Sequence, residues 1–447
     1  MMKIFLPLLI SILSFYNNFN FLKLSFCISL IFNVFFMNTL FNNLYTQVFL
    51  INKFLLIDGS SILLILLSMW IIIMMILGTK KISDKNNNWV MFMLMNMIML
   101  LALYLCFSSK NLSMFYFFFE MTLIPITFMI MIWGYQPERL NASIFMLMYT
   151  VIASLPLSIN IVMMKNNNMN ISFMYFFNQI MVNSNFNTMI NLFMFIALLV
   201  KLPMFFMHMW LPKAHLEAPV FGSMILAAIL LKLGGFGMMR MMLILPMSNM
   251  FLYLCIISIW GAMIISLICC RMTDIKMLIA YSSVAHMGML IMALFLNTPI
   301  SLMAAFFMMI AHAFTSSALF FVANSMYTTS NSRMFILNKS MLMYNPSLTK
   351  WWFIIILMSM ATPPSINLIS EMLLVSSLIK YTVFIMLPLG FMLMLSVVYS
   401  MIMYVNTTHG QSLNMMNSLF FLYPIDYTIV LMHLIPVIIM PIMINYM

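Results

Sequence analysis

Charged residues are scarce in this sequence. Only 6% of the 447 residues are charged, and only eight are acidic. A soluble protein of this length needs far more polar side chains to cover its surface, so the scarcity excludes a soluble globular protein. The rest is strongly apolar, with 65% hydrophobic residues and a mean hydropathy of +1.11. We therefore predict an all-α polytopic membrane protein, with residues 1–447 forming a single transmembrane domain.

Cysteine is also rare, and its spacing excludes several kinds of redox site. The five cysteines include no C-x₂-C pair, which iron–sulfur clusters and structural zinc sites commonly use. The six histidines form no H-E-x-x-H motif. We therefore expect no metal or cofactor bound by this chain, and any linked redox chemistry would belong to another subunit.

The few charged residues are mostly basic, which gives a formal net charge of +11. In a membrane protein this excess sets orientation through the positive-inside rule, and we expect no nucleic-acid partner. Ten basic residues fall in loops expected to face the matrix or cytoplasm: Lys80, Lys81, Lys85, Arg139, Lys213, Arg271, Lys276, Arg333, Lys339 and Lys350. Five fall on the opposite side: Lys3, Lys53, Lys110, Lys165 and Lys380.

What the chain does contain is a series of long apolar stretches. Stretches of about 18–25 residues span a bilayer as helices, and they predict about fourteen transmembrane helices. Their approximate ranges are 2–16, 19–37, 54–78, 89–107, 111–132, 141–164, 188–210, 219–244, 249–270, 276–296, 300–327, 351–378, 381–404 and 426–446. We divide the domain into an N-terminal part (1–88, helices 1–3), a first repeat (89–244), a second repeat (249–404) and a C-terminal helix (405–447).

Two predicted helices, the seventh and the twelfth, contain proline in corresponding places. Pro203 follows Lys201 by two residues, and Pro363 and Pro364 interrupt the twelfth helix. Proline breaks the helical hydrogen-bond pattern, and in a bilayer such breaks persist only against protein or a water-filled cavity. Paired broken helices are typical of inverted repeats around a mid-membrane site. We therefore predict two inverted five-helix repeats, each with one broken helix; chance kinks in a helix bundle are the alternative.

Four charged residues lie well inside apolar runs: Glu120, Lys201, Lys232 and Glu371. A charge at mid-bilayer costs about 2.5–3.5 kcal/mol on insertion scales, so such residues persist where they pair or face water. They commonly mark an ion or proton path. We therefore predict that these four residues carry protons across the membrane.

We predict a specific role for each of the four residues, and for three of them a simpler structural role is the alternative. Glu120 and Lys201 would form a pair whose opening and closing changes the proton affinity of the lysine; a static ion pair that fixes helix register is the alternative. Lys232 lies too deep in its helix to act as an orientation signal and is predicted to be a central relay. Glu371 would be the acid of the second repeat, with snorkelling to the interface as the alternative.

Three histidines are candidate proton relays: His208, His286 and His312. Histidine exchanges protons near neutral pH, although a membrane histidine also serves as a simple hydrogen bond between helices. His208 follows Lys201 by seven residues, which would place both on one face of an unbroken helix. His215 falls in a predicted loop, 212–217, where a structural role and a gating role are equally compatible with the sequence.

Several longer segments carry a family pattern. They are Phe119-Glu120 with 133–139 (WGYQPER), 210–219 (WLPKAHLEAP) with 230–235 (LLKLGG), 274–276 (DIK) with 280–287 (AYSSVAHM), and 311–314 (AHAF) with 317–321 (SALFF). In these segments the chain resembles the antiporter-like, proton-pumping membrane-arm subunits of respiratory complex I (NADH:ubiquinone oxidoreductase), and in particular their chain 4 group. The resemblance extends over nearly the whole chain.

The resemblance implies fourteen helices, two inverted repeats and a role for each intramembrane charge. It maps the family's helix-five glutamate onto Glu120, its broken-helix lysine onto Lys201 and its central lysine onto Lys232. It places the terminal proton-exit acid at Glu371. The two sister subunits typically have lysine there, so an acid favours the chain 4 group.

The resemblance also implies a setting. The chain would be a subunit of the proton-translocating NADH:ubiquinone reductase, with FMN, iron–sulfur clusters, NADH and ubiquinone bound by other subunits. Sister antiporter-like subunits would lie on both sides, and cardiolipin would contact the basic side. The location would be the mitochondrial inner membrane. The 61 methionines indicate a mitochondrial genetic code, although methionine also fills packing gaps. A free-standing cation/proton antiporter and a membrane scaffold are the alternative functions.

Overall fold

The computed structural model describes residues 49–52, 54–79, 88–166, 186–242, 249–379, 385–411 and 424–444. Within these ranges the fold is almost entirely helical, as predicted. In chain order the elements are β1 (Phe49–Asn52), β2 (Leu55–Ile57), α1 (Gly59–Gly78), α2 (Trp89–Phe107), α3 (Leu112–Met121), α4 (Leu123–Trp133), α5 (Arg139–Asn166), α6 (Phe186–Lys201), α7 (Trp210–Glu217), α8 (Val220–Met242), α9 (Asn249–Cys269), α10 (Ile275–Leu296), α11 (Pro299–Ser330), α12 (Met341–Tyr344), α13 (Pro346–Ser359), α14 (Ile366–Ile379), α15 (Met386–Thr408) and α16 (Pro424–Ile444).

Ten helical segments in the described part of the chain are long and apolar enough to cross a membrane. The predicted helix 89–107 coincides with α2, and the predictions for α9 and α10 differ from the structure by one residue at an end. The first two predicted helices, 2–16 and 19–37, lie outside the described residues. The total of fourteen helices and the two repeats therefore remain predictions.

The predicted start of the third helix was wrong. Instead of a helix from residue 54, the chain forms an antiparallel hairpin of β1 and β2, and Leu56 N–H donates to the Ser108 carbonyl at 2.8 Å. Asp58 has an extended backbone, and its N–H donates to the Ser61 hydroxyl at 2.8 Å, which starts α1. Residues 58–61 (DGSS) interrupt the apolar run at this boundary, but hydropathy alone does not distinguish the apolar strand before them from the start of an apolar helix.

Three helices form the buried centre of the described bundle. In the most apolar stretches of α8, α10 and α11, 94%, 89% and 89% of the residues are buried, compared with 39% in α5 and 28% in α16. The peripheral helix α5 instead exposes an apolar stripe that includes Ile144, Met148 and Ile152. Helical spacing puts such residues on one face, where lipid is a suitable neighbour. Polar side chains of α8, α10 and α11 are therefore held away from lipid.

Within the described ranges the predicted helices are interrupted in four places, two of which were predicted. The chain leaves helical geometry between α6 and α7, at residues 202–209, and between α13 and α14, at residues 360–365, next to the prolines identified in the sequence. In addition, Thr122 separates α3 from α4, because Pro125 lacks the N–H that a continuous helix needs. The fourth interruption is a π turn within α8, Leu226–Leu230.

The predicted loop 212–217 was also wrong, because these residues belong to α7. Pro212 lies in the first turn of that helix, where its missing N–H would have no intrahelical partner in any case. The helix ends at Glu217, before Pro219. His215 and Glu217, which were assigned to a loop, are consequently buried inside the bundle, whereas Lys213 is exposed.

Candidate functional site

The most deeply placed charge is paired with a histidine. Lys232 on α8 is fully buried, and its Nζ lies 2.9 Å from Nδ1 of His312 on α11. The Nζ also donates to the Ala227 carbonyl at 2.7 Å. A Cβ on Gly235 would come within 2.5 Å of Met309 Sδ, so glycine allows α8 to approach α11 this closely. Gly235 thus serves close helix packing.

The Ala227 carbonyl lies in the π turn of α8. π turns interrupt the regular i to i−4 bonding of an α-helix and are frequent at functional sites. Here the turn immediately precedes Lys232 and supplies the lysine with a backbone acceptor. The residues of this turn, Leu-Ala-Ala-Ile-Leu, are all typical of a regular α-helix. The sequence analysis therefore did not predict the π turn.

From His312 the polar side chains continue toward α15. The His312 and His286 rings are 5.8 Å apart between centroids, and His286 Nε2 lies 3.4 Å from the Tyr399 hydroxyl oxygen. A small cavity beside them has room for about one water molecule. Its polar lining includes His286, His312, Ser316, Ser359, Asn367 and Tyr399.

The cavity borders the break between α13 and α14, which together form the predicted twelfth transmembrane helix. Ser359 ends α13, and Asn367 Nδ2 donates across the break to the Met358 carbonyl at 2.7 Å. Glu371 follows Asn367 by four residues and so shares its helix face. The Glu371 side chain is half-buried, and its charge is close enough to act on Tyr399.

Lys201 and Glu120 are neighbours, but they do not form a closed ion pair. Lys201 Nζ donates to the Phe119 carbonyl at 2.6 Å and lies 3.1 Å from the centre of the Phe119 ring. The Glu120 carboxyl group lies near Ser154 and within electrostatic reach of Lys201, but its Oε1 is buried without a hydrogen-bond partner. The structure therefore places Lys201 and Glu120 close together, but without a direct contact between the ammonium and the carboxylate.

His208 lies in the break between α6 and α7 rather than on a helix. The two-turn relation to Lys201 required an unbroken helix, so it does not apply. The ring stacks on Phe205 at 5.8 Å and meets Tyr281 edge-on at 6.1 Å between centroids. Its side chain is buried, and in the described structure its neighbours are aromatic rather than the other candidate residues.

The sequence analysis missed a second buried cluster, which is centred on Lys276. This residue was counted as a loop charge, but the structure buries it in the first turn of α10. Its Nζ lies 4.7 Å from the ring centre of Tyr135 and 5.1 Å from that of Tyr327. The sequence contained one sign of this position. Asp274 is a residue type common at helix N-caps, so it indicates that α10 begins before Lys276 and that Lys276 belongs to the helix.

These groups have the chemistry of proton transfer. Lysine, histidine, tyrosine and glutamate each give up and accept protons, and the Lys232–His312 contact is within hydrogen-bond distance. Within the described ranges no three His, Cys, Asp or Glu residues are grouped so that they could hold a metal ion.

Comparisons with known proteins show the family of this chain. The family described as NADH:quinone oxidoreductase/Mrp antiporter matches residues 109–396, and the family described as NADH-ubiquinone oxidoreductase chain 4, amino terminus, matches residues 1–106. The NADH-ubiquinone oxidoreductase chain 4 of Ceratitis capitata is 41% identical over 81% of this chain and 80% of its own length. That of Rhipicephalus sanguineus is 39% identical over 88% of this chain and 89% of its own length.

The fold is similar to that of a solved protein. A chain of the respiratory complex I from Thermus thermophilus with bound NADH superposes with a TM-score of 0.86. The match covers 100% of this chain and 96% of that chain, at 18% sequence identity. At this identity the likeness shows the fold.

Proposed function

Because the chain belongs to the NADH-ubiquinone oxidoreductase chain 4 family, the antiporter-like membrane subunits of respiratory complex I, we propose that it translocates protons through its buried lysines. The protons would cross the mitochondrial inner membrane while other subunits oxidise NADH and reduce ubiquinone. The observation that carries the proposal is the 2.9 Å contact between Lys232 and His312 in the centre of the bundle. A fully buried lysine against an imidazole can pass a proton onward, which a snorkelling lysine cannot.

The proposed path runs through groups at helix interruptions. Glu120 and Lys201 would form the switching pair of the first repeat, because Lys201 now binds a carbonyl one residue away from the carboxylate. Lys232 would be the central relay. Each of these three residues lies next to a helix end or a π turn, where backbone groups are available to a charge or to water.

The second half of the path would lead from His312 to the exit acid. His312 and His286 border the water-sized cavity, and Asn367 on its wall shares a helix face with Glu371. We assign Glu371 as the exit group and His286 and His312 as relays. His208 would act on the first-repeat side, beside the break after Lys201.

The two-repeat organisation supports this assignment. The described parts of both proposed repeats contain a broken helix next to the prolines identified in the sequence, between α6 and α7 in 89–244 and between α13 and α14 in 249–404; the first also has the interruption beside Pro125. The Lys232–His312 contact joins α8 of the first to α11 of the second. A proton crossing from one repeat to the other would therefore pass at this contact.

The remaining partners follow from family membership. FMN, iron–sulfur clusters, NADH and ubiquinone would be bound by other subunits of the complex. Sister antiporter-like subunits would flank this chain within the membrane arm. Cardiolipin would contact basic residues at the membrane surface.

The proposal is tested in the assembled complex, reconstituted into vesicles. Lys232→Ala should leave NADH:ubiquinone electron transfer largely intact and lower the number of protons pumped per electron. An unchanged proton-to-electron ratio in that variant would exclude the relay role.

The matching family also includes antiporters, which supports a second candidate, a cation/proton antiporter that works without electron transfer. Vesicles containing the chain alone would then exchange sodium for protons in the absence of NADH. Sodium movement that is lost in Lys232→Ala would favour this second function.

A further inference from the structure

Lys276 occupies an unusual site for a buried lysine. It is 2% exposed, and its Nζ has no hydrogen-bond partner in the described part of the chain. The ammonium is instead held by the rings of Tyr135 and Tyr327, which meet edge to face at 4.9 Å. Aromatic faces stabilise a cation but accept no proton from it. All three N–H donors thus remain available to water or to another base.

The carboxylate that acts on Lys276, that of Glu217, also faces an arginine. Glu217 at the end of α7 faces Arg333, whose guanidinium lies 3.4 Å from Oε1 and also donates to the Leu216 carbonyl at 3.0 Å. A Cβ on Gly134 would come 2.9 Å from the Glu217 carbonyl oxygen, so glycine lets the 134–138 loop pack directly on α7. Lys276 therefore shares this acid with Arg333 and forms no direct ion pair with it among the described residues; Glu217 Oε2 has no hydrogen-bond partner there.

His215 is a second buried group without partners. It is fully buried on α7, and neither ring nitrogen has a hydrogen-bond partner among the described residues. Its ring stacks on Phe320 at 4.6 Å with an interplanar angle of 4°. The charged side chains that act on it are Lys276 and Lys232. A buried histidine with two free nitrogens needs an explanation, because such groups are normally satisfied.

Three residues of α11 contact Lys232, His215 and Lys276 in turn along the helix. His312 contacts Lys232, Phe320 stacks on His215, and Tyr327 holds Lys276. These α11 residues are eight and then seven positions apart, or about 12 Å and about 10 Å along the helix axis. His215 therefore lies between the two lysines along α11.

The two steps contain polar groups that could hold water. Ser316 and Ser317 lie on α11 between His312 and Phe320, and hydroxyl oxygens retain accepting capacity when they donate to their own helix. Asn324 lies between Phe320 and Tyr327 and accepts from the Tyr135 hydroxyl at 2.9 Å. Steps of about 10 Å require bridging water rather than direct contact.

We propose that Lys276 is a buried proton-uptake site that supplies Lys232 through His215. This inference rests on the proposed function and extends it. Residues 135–138 are exposed, so the Tyr135 wall of the cage borders the surface from which Lys276 takes up a proton. The Lys276 ammonium then releases one proton to one ring nitrogen of His215. The other ring nitrogen releases one to the neutral amine of Lys232, and the second transfer restores a neutral imidazole.

The test separates a proton donor from a fixed cation. Lys276→Met removes both properties, whereas Lys276→Arg keeps the cation over the tyrosines but cannot release a proton at any physiological pH. In the reconstituted complex we expect both variants to lower the protons pumped per electron to the level of Lys232→Ala. A wild-type ratio in Lys276→Arg would mean that the site only needs a charge, and would overturn the proposal.

His215→Phe provides an independent arm because phenylalanine retains the stacking on Phe320 and cannot carry a proton. It should lower the same ratio, and Lys213→Met, an exposed change on the same helix, should not. If a Lys276 variant fails to assemble, His215→Phe decides: a lowered ratio supports the route and a wild-type ratio overturns it. A lowered ratio in Lys232→Ala together with wild-type ratios in Lys276→Arg and His215→Phe would refute this inference alone. A wild-type ratio in Lys232→Ala would refute the proposed function itself.

Discussion

Lys201 Nζ binds the backbone carbonyl of Phe119 at 2.6 Å, one residue before Glu120 on the same helix. The lysine thus reaches the correct turn of α3 but is bound to the backbone instead of the carboxylate. Charge-assisted hydrogen bonds to a carboxylate are stronger than those to a neutral carbonyl. A small movement would therefore give the lysine a stronger partner, and the two arrangements would hold its proton with different strength.

Replacing Glu120 with Gln should remove that second arrangement. The amide keeps the shape of the side chain and its contact with Ser154 but carries no charge, so Lys201 would have no carboxylate to close onto. We expect the protons pumped per electron to fall to the level of Lys232→Ala, with the complex still assembled. Asp426→Asn, in the first turn of the peripheral helix α16, serves as the control and should behave as wild type. Normal pumping in Glu120→Gln would support the static-pair interpretation.

His312→Gln tests the contact on which the proposed function rests. Glutamine can hydrogen-bond to Lys232 but cannot accept its proton, because an amide is not a base at neutral pH. Proton pumping should decrease as in Lys232→Ala while electron transfer continues. The matched change, His409→Gln, alters an exposed histidine and should leave the proton-to-electron ratio unchanged. Equal ratios in both variants would argue against a relay at His312.

Glu371 can be tested by exchange with a residue of opposite charge. Gln at this position should impair proton release, whereas Lys should retain part of it, because an amine also takes up and gives off protons. The half-buried position can accommodate a longer side chain. Steady-state pumping by reconstituted Glu371→Gln and Glu371→Lys complexes makes the comparison. If both variants pumped protons as well as the wild type, Glu371 would have a structural role only.

Gly235→Ala should destabilise the bundle, because the added Cβ would lie 2.5 Å from Met309 Sδ. Overpacking of this kind costs about 1–3 kcal/mol, and here it would also push Lys232 away from His312. Thermal unfolding of the detergent-solubilised complex measures the loss. Gly390→Ala on α15 is the matched control, since a Cβ there meets nothing within 4 Å. That change should stabilise its helix by about 0.5–1 kcal/mol. A Gly235→Ala protein as stable as wild type would show that the Met309 side chain can move aside without cost.

The sequence predicted those parts of the site that have a local cause. The break after Lys201 follows from Pro203, and the break before Glu371 from Pro363 and Pro364, because proline cannot continue a helix. Lys232 was recognisable as intramembrane from its position in a long apolar run. These features need only a few neighbouring residues to be deduced.

The remaining parts depend on contacts between distant segments. Lys232 and His312 are 80 residues apart in the chain, and only the packing of α8 on α11 brings them together. Lys276 looked like a loop charge because burial by Tyr135 and Tyr327 is invisible in its own segment. The β1–β2 hairpin was missed for a different reason: hydropathy measures apolar character, which strands and helices share.

The direction in which the Lys232 side chain points depends on the π turn in α8, because the turn changes how many residues the helix uses before Lys232. A π turn accommodates one residue more than an α turn. If the same residues formed a regular α-helix, with no π turn at Leu226–Leu230, the rest of the helix would be rotated by about 100° from its present position. Lys232 would then face a different neighbour even though every polar side chain of the path was still present.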